Sequence, residues 1–177
     1  MKKMALKRIL SAGSAMALAY ATYCGAYTLM DYSWGAPFES IQKELELAGK
    51  KAVFDVKNFT LVYEEPWLEG ECKVSLVFTP KTRLLAGIAC VWPSEEVIDN
   101  AMKFVRDKYG DPVAFDRPDQ MRKIYIWSDP TTRDNKIILI KGPSSVILSY
   151  YGGEFYRNYL EESKELRERA KENGLLQ

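Results

Sequence analysis

The residues that could carry out acid–base chemistry in this chain are few, because it contains no histidine. Histidine is the commonest general base and metal ligand, so its absence removes the simplest catalytic and metal sites. Asp55 and Asp116 form the best remaining carboxylate pair, each lying six residues after a glycine, Gly49 or Gly110. Such a pair could serve a hydrolase or transferase, but aspartate in this position is more typical of a turn cap. The sequence leaves enzyme activity open and favours a non-enzymatic protein.

Cys72 and Cys90 are the second group with chemical potential, and their spacing can be tested against a β-hairpin. Extended segments at 71–79 and 83–92 are joined around residues 80–82, which predicts a short hairpin loop. A three-residue loop places Cys72 directly opposite Cys90, at a separation that suits a disulfide. The alternative is two reduced thiols packed in a core. Two cysteines on one hairpin lack the clustered spacing of a zinc site, and no phosphate-binding glycine loop occurs, so neither a metal nor a cofactor is predicted.

The other face of the same hairpin is nearly uncharged, which makes it a candidate binding face. Its central residues are Ser75, Val77, Leu85, Gly87 and Ala89. Small and apolar side chains on an outward face indicate that something lies against them. The cover could be the protein's own helix, its second half, or a partner. Aromatic residues that could anchor a partner, although each also suits a core, are Trp67, Trp92, Trp127, Tyr150 and Tyr151.

Residues 1–26 carry the pattern of a signal peptide. Four cations within residues 2–8 precede an uncharged run from Ile9 to Met30, which contains small-x-small sites ending at Ala21 and Ala26. This pattern predicts export to the periplasm or cell envelope with cleavage of the signal. The alternative is an uncleaved inner-membrane anchor, because the run is close to the roughly 20 residues that a membrane helix needs. Membrane contact is predicted only through this segment, if it is retained.

The charge of the remaining chain disfavours binding to nucleic acid. Four of the 25 basic residues and none of the 24 acidic ones lie before residue 27, so the remainder carries 21 minus 24, or −3. A mildly acidic chain with interspersed charges has no basic patch for a polyanion. Its length of roughly 150 residues suits one domain with its own hydrophobic core.

Glycine and proline positions divide the rest into a linker at 27–35, an α+β domain at 36–152, and a charged C-terminal helix and tail at 153–177. Apolar residues at helical spacing predict helices over about 37–48 and 94–109. Strands are predicted over 52–56, 59–64, 71–79, 83–92, 124–128, 136–141 and 146–151. The run from Ile137 to Ile140 is apolar on both parities, which predicts a central strand covered on both faces.

The order of helix, strands, helix, strands indicates an internal duplication. The joint after each helix also repeats, since residues 53–55 follow Gly49 as residues 114–116 follow Gly110. The predicted fold class is α+β, with two helix-plus-antiparallel-strand repeats packed as helices on antiparallel sheet, and a C-terminal helix.

Residues 34–38 (WGAPF), residues 108–112 (KYGDP) and a later Trp-bearing strand resemble those of small exported bacterial proteins of unknown function. The helix-plus-three-strand unit is similar to the module of outer-membrane assembly lipoproteins and of tandem-repeat β-lactamase inhibitor proteins. This resemblance, which covers about residues 33–151, implies binding to other proteins. The prediction is an exported cell-envelope protein that binds another envelope protein. The alternatives are a periplasmic hydrolase or transferase using carboxylates, and a small-ligand carrier.

Overall fold

The computed structural model describes residues 32–117, 121–128 and 135–173, so the predicted signal at 1–26 and most of the linker lie outside the described residues. Within those ranges the chain forms three helices and eight strands. Their bounds in chain order are α1 (Phe38–Leu47), β1 (Val53–Asp55), β2 (Thr60–Trp67), β3 (Gly70–Phe78), β4 (Leu85–Trp92), α2 (Ile98–Tyr109), β5 (Val113–Arg117), β6 (Arg122–Ser128), β7 (Lys136–Lys141), β8 (Val146–Tyr151) and α3 (Gly153–Glu172). Among these described helices, none combines the length and the apolar character that crossing a membrane requires.

The eight strands form one antiparallel sheet in the order β1-β2-β3-β4-β8-β7-β6-β5. Each of α1 and α2 is followed by four strands that pair in sequence, and the two halves meet where β4 pairs with β8. The predicted α+β class, with helices, antiparallel sheet and a C-terminal helix, is confirmed. Four strands follow the first helix, as predicted, but four and not three follow the second, because β5 was not predicted from the sequence.

The hydrophobic core lies between the sheet and the helices α1 and α2. Phe38, Ile41 and Leu45 recur on one side of α1 and are buried, as are Ala101 and Val105 on α2. They pack in one cluster with alternate residues of the strands, including Leu76, Ile88, Ile137, Leu139 and Leu148. Alternation follows from strand geometry, in which successive side chains point to opposite faces. One face of the sheet is therefore buried against the helices.

Glycine ends both helices where the sequence predicts it. Gly49 has a φ of +70°, a left-handed conformation that glycine adopts at little cost, and its amide donates to the Glu46 carbonyl at 3.0 Å. Gly110 has a φ of +79°, and its carbonyl accepts a hydrogen bond from the Trp127 indole at 2.8 Å. After these two glycines the chain continues into β1 and β5, the edge strands of the sheet.

The β3–β4 hairpin differs from its predicted register. Cys90 lies opposite Val74, and not opposite Cys72 as a three-residue loop predicted. The loop is longer because Thr79 and Leu84 close it, with the Thr79 amide donating to the Leu84 carbonyl at 2.9 Å. Residues 80–83 therefore connect the closing pair, and the predicted pairing is wrong.

A bulge in β4 shifts the register of the β3–β4 pairing by one further residue. The paired residues change from Phe78–Leu85 to Val77–Gly87, so β4 holds one extra residue at this point. The bulge interrupts the alternation of β4 and places Leu85 with Phe78 in the core. The prediction that Leu85 shares the outward face with Gly87 is therefore wrong.

In the described part of the chain, helices cover strand β7 on one face only. Ile137 and Leu139 are fully buried in the core, while Ile138 and Ile140 on the other face are partly exposed. The prediction of a strand covered on both faces is wrong. An apolar run shows that both sides of a strand avoid charge, but it does not show that an element of the same chain covers both.

The C-terminal helix α3 packs against the loops at one end of the sheet. Phe155 in its first turn lies beside Gly35. Glu162 accepts a hydrogen bond from the Thr82 hydroxyl in the β3–β4 loop at 3.0 Å. Further along, Leu166 lines a cleft with residues of the β1–β2 turn. The helix thus follows the loop ends of the first half of the sheet.

The segment ahead of α1 runs beside the start of β4. The Gly35 amide donates to the Leu85 carbonyl, and the Leu85 amide donates to the Ala36 carbonyl, both at 2.9 Å. A third bond, from the Phe38 amide to the Arg83 carbonyl, continues the pairing. The described chain therefore enters the domain at the middle of the sheet and not at an edge.

Candidate binding face

The second face of the sheet carries a continuous row of uncharged side chains. Cross-strand pairing contributes one residue from each strand to this row, which we call the middle row. In strand order it consists of Val53, Val62, Ser75, Ala89, Ser149, Ile138, Ile126 and Val113. Facing side chains on neighbouring strands lie about 4.5–5.5 Å apart, so the row forms one surface.

A second row, one residue pair further along the strands, is also apolar across the centre and the second half. Val91 pairs with Ile147, Ile147 with Ile140, and Ile140 with Ile124. All four side chains are partly exposed, whereas the solvent face of an antiparallel sheet is ordinarily polar. We call the open face the surface formed by the middle row, this second row and, on the other side, Val77, Gly87 and Tyr151.

Helices α1 and α2 leave the open face uncovered, because their apolar sides pack on the opposite face of the sheet. The second half of the sheet extends the open face sideways, since β8 pairs along β4. Helix α3 meets it at one end, where the ring centroids of Tyr156 and Tyr151 lie 4.4 Å apart. The sequence suggested that a helix or the second half of the protein could cover this face. Neither does so, and most of the described face is partly exposed.

Four of the five residues proposed from the sequence as a binding face lie on the open face. On β3 and β4 these are Ser75, Val77, Gly87 and Ala89, whereas Leu85 is in the core. At Gly87 an added Cβ would lie 3.4 Å from the Tyr150 carbonyl oxygen and 3.7 Å from the Tyr151 ring. Gly87 is itself buried, with the Tyr151 ring beside it.

The contribution of the second half was missed from the sequence. Ile124, Ile126, Ile138 and Ile140 form a block of four isoleucines on β6 and β7, all on the open face. A signal was present, because β7 is apolar on both parities. The side that the helices cover depends on how the whole sheet assembles, and a single strand does not carry that information.

Charges on the described rows of the open face are few and balanced. Glu64 lies directly opposite Lys73 on β2 and β3. Lys136 begins β7, and Asp55 ends β1 near the opposite edge of the sheet. Two acids and two bases give this surface no net charge, so it has no electrostatic preference for a charged polymer.

The aromatic residues considered as anchors lie mostly in the core. Trp92, Trp127 and Tyr150 are buried, and both indoles donate hydrogen bonds to backbone carbonyls. Trp67 stacks on Trp92 on the helix side of the sheet, with ring centroids 5.4 Å apart. Of the five, Tyr151 is the one on the open face, and it is half-buried.

Cys72 and Cys90 are buried free thiols on the helix side of the sheet. They lie on adjacent strands in a diagonal relation, since Cys90 pairs with Val74. The hydrogen bond from Cys90 holds the pKa of Cys72 below its usual range, while the same bond and burial raise the pKa of Cys90. The register argument for a disulfide is wrong, and the disulfide itself stays a prediction.

Asp55 caps a turn. Its carboxylate accepts hydrogen bonds from the amides of Lys57 and Asn58 and from the Asn58 side chain at 2.7 Å. The side-chain hydrogen bond from Asn58 holds the pKa of Asp55 below its ordinary value. The turn-cap interpretation is confirmed for Asp55, while the side chain of Asp116 lies outside the described residues. Among the described side chains, no group of three or more Cys, Asp or Glu is placed to hold a metal ion.

The described residues form an α+β domain with an apolar sheet face that the described helices leave mostly uncovered. No protein-family model matches the chain, no curated protein matches it, and no solved structure matches it. The geometry and chemistry of the open face are therefore the features of this protein that indicate its function.

Proposed function

We propose that this is an exported cell-envelope protein that acts by binding another protein through the open face, and that it does not catalyse a reaction. The observation that carries the proposal is the middle row, which crosses all eight strands without a charge while most of its side chains keep solvent exposure. Extended apolar patches on folded domains mark contact sites for proteins or membranes. A protein partner is favoured because a sheet face offers pairs of side chains at fixed spacing, which suits shape-specific packing.

The proposal is also supported by the two halves of the sheet, which we propose are copies of one duplicated unit. Each half consists of a helix followed by four strands. Val53 and Val62 hold the same positions in the first half as Val113 and Ile126 hold in the second. Joining two such units at β4 and β8 doubles the width of the face, which gives a small domain enough surface for a specific partner.

The N-terminal pattern supports the location. A basic start followed by an uncharged run of small residues is what export machinery recognises, and the domain after residue 26 would then be delivered to the envelope. The resemblance to exported bacterial binding modules agrees with this. Cys72 and Cys90 would meet oxidising conditions there, which is why the disulfide remains part of the proposal.

Site-specific photo-crosslinking in intact cells tests the proposal. A photo-reactive amino acid at Ala89 probes the open face, and the same amino acid at Leu47, which is 79% exposed on α1, is the matched control. We expect discrete covalent adducts from position 89 and none from position 47. Absence of adducts at 89, or equal labelling from both positions, would contradict a binding role for the open face.

A further inference from the structure

We infer that the protein that covers the open face is a second copy of this chain. The inference rests on the proposed function, because it names the partner of the same surface. The shape of the face, the placement of its charges and its area all fit such a pairing.

The open face is self-complementary in shape. Ile126 and Ile138, with the neighbouring isoleucines of β6 and β7, form a ridge of branched side chains. Ser75, Ala89 and Ser149 form a trough of small side chains on the same row. A two-fold axis parallel to the strands seats the ridge of each copy in the trough of the other, which is how an isologous interface satisfies both copies at once.

Strand spacing places ridge and trough at a workable separation. The ridge is centred between β6 and β7 and the trough on β4, which puts them about 12 Å apart for strands spaced at about 4.8 Å. Rotation about an axis midway between them brings Ile126 of one copy between Ser75 and Ala89 of the other. About six strands of each sheet then overlap face to face, as in a sandwich of two sheets.

The charges on the face do not oppose this arrangement. Lys73 has Glu64 directly opposite it on β2, so its charge is compensated within the same copy. Lys136 is exposed at the first residue of β7, at the end of the strand. The ridge and the trough themselves contain no charged residue, so seating one in the other desolvates no ion.

The area of overlap is that of a reversible dimer. Six strands over about five residues span about 29 Å by 16 Å, or about 950 Å² summed over both copies. Specific interfaces usually bury more than about 1,200 Å², and transient ones less. We therefore expect monomer and dimer to exchange and not an obligate assembly.

Sedimentation equilibrium of the protein in the form that accumulates in its native envelope fraction tests the inference. We expect dimer at about 50 μM, and we expect Ile126→Lys to weaken dimerisation by about 100-fold, because it places a charge in the trough of the other copy. Leu47→Lys makes the same chemical change at an exposed position off the face and should leave the dimer unchanged. Thermal melting checks that each variant is folded, and Ile124→Lys replaces Ile126→Lys if that variant unfolds.

A charge-swap experiment tests the specific arrangement. Ser75→Glu should also prevent self-association, because it places a carboxylate opposite the ridge. Mixing the Ile126→Lys and Ser75→Glu chains should restore a mixed dimer, in which one contact is the original and the other is a Lys–Glu pair. Failure of the mixture to associate would overturn this arrangement, and wild-type protein that stays monomeric up to about 500 μM would overturn the second copy as partner.

The failure of this inference is distinguishable from failure of the proposed function. If position 89 crosslinks to a different protein and the purified chain is monomeric, the second-copy inference is overturned and the binding role of the open face stands. If position 89 yields an adduct of twice the mass of the chain, both are supported. If it yields none, both are overturned.

Discussion

At the scale of single residues, Gly152 shows how closely this fold packs its backbone. The residue joins β8 to α3 beneath the indole of Trp34, and a Cβ placed there would lie 2.5 Å from the ring atom Cδ2. Trp34 is itself buried, so the ring cannot move aside without leaving the core. Glycine is required here by the close approach of a side chain and not by an unusual φ.

Replacement of Gly152 by alanine is expected to lower the free energy of unfolding by about 2 kcal/mol, because the added methyl group overpacks a buried site. Gly142→Ala is the matched control, since its nearest contact would be 3.4 Å, at the Ser145 carbonyl oxygen. Urea denaturation of both variants measures the difference. Equal effects at the two glycines would show that Trp34 is not fixed in place.

The residue-level predictions succeeded where the cause is local. Gly49 ends its helix because the residue that follows the last turn must adopt a left-handed φ. Asp55 caps a turn because its carboxylate accepts from backbone amides only two and three residues further along the chain. Leu85 was misplaced because its face depends on a bulge, which is fixed by how two strands pair and not by the residues next to it.

At the scale of elements, α3 is held by carboxylates that meet the β3–β4 loop. Glu162 bonds to the Thr82 hydroxyl, and the Lys81 ammonium pairs with Glu165. The hydrogen bond and the positive charge of Lys81 hold the pKa of Glu165 below its ordinary value. A carboxyl with a lowered pKa in the folded state stabilises docking above its ordinary pKa, and that contribution is lost as the pH falls through the lowered value.

Amide hydrogen exchange of α3 is expected to show this loss in acid. Between about pH 5 and pH 3, exchange in the helix should accelerate by about two- to fivefold beyond the intrinsic pH effect, a range typical of an exposed ion pair. The Glu165→Gln variant should lose this pH dependence, whereas Glu161→Gln, on the exposed side of the helix, should retain it. A wild-type response that persists in Glu165→Gln would place the acid-sensitive contact elsewhere.

Element positions were easier to predict from the sequence than element pairings. The helices around 38–47 and 98–109 follow from their apolar spacing, and most strands were located within a few residues. The β3–β4 register failed because loop closure at Thr79 and Leu84 and the bulge each shift the partner. The prediction that both faces of β7 are covered was wrong because the strand has isoleucine on both faces, while the described helices lie on one face of the sheet.

At the scale of the whole molecule, the open face exists only after the two halves of the sheet have paired. Ser75, Val77, Gly87 and Ala89 could be placed on this face from the sequence, because they belong to one hairpin, β3–β4. The isoleucines of β6 and β7 lie more than thirty residues further along the chain. The pairing of β4 with β8 brings the two groups onto one surface. The candidate site is therefore a product of topology, and only its first half could be predicted from local pattern.

Export of the chain and formation of the Cys72–Cys90 disulfide also concern the whole molecule, and one mass measurement tests both. Protein from the envelope fraction, denatured and alkylated without reductant, should have a chain that begins near Thr22 or Tyr27 and carry no alkyl group on Cys72 or Cys90. Denaturation is needed because both thiols are buried, at 2% and 0% exposure, and folding alone would protect them. In Cys72→Ser, Cys90 should become alkylated. A full-length wild-type chain in which both Cys72 and Cys90 are alkylated would contradict both expectations.

The pairing of residues 35–38 with the start of β4 has a mechanical consequence. Tension applied to the chain ahead of residue 35 passes through three backbone hydrogen bonds, two at Leu85 and one at Arg83, to the strand that leads into the centre of the sheet. Trp34, lodged over Gly152, resists withdrawal of the same segment. If the chain is pulled at that point, load reaches the seam between the two halves before it reaches the edge strands β1 and β5.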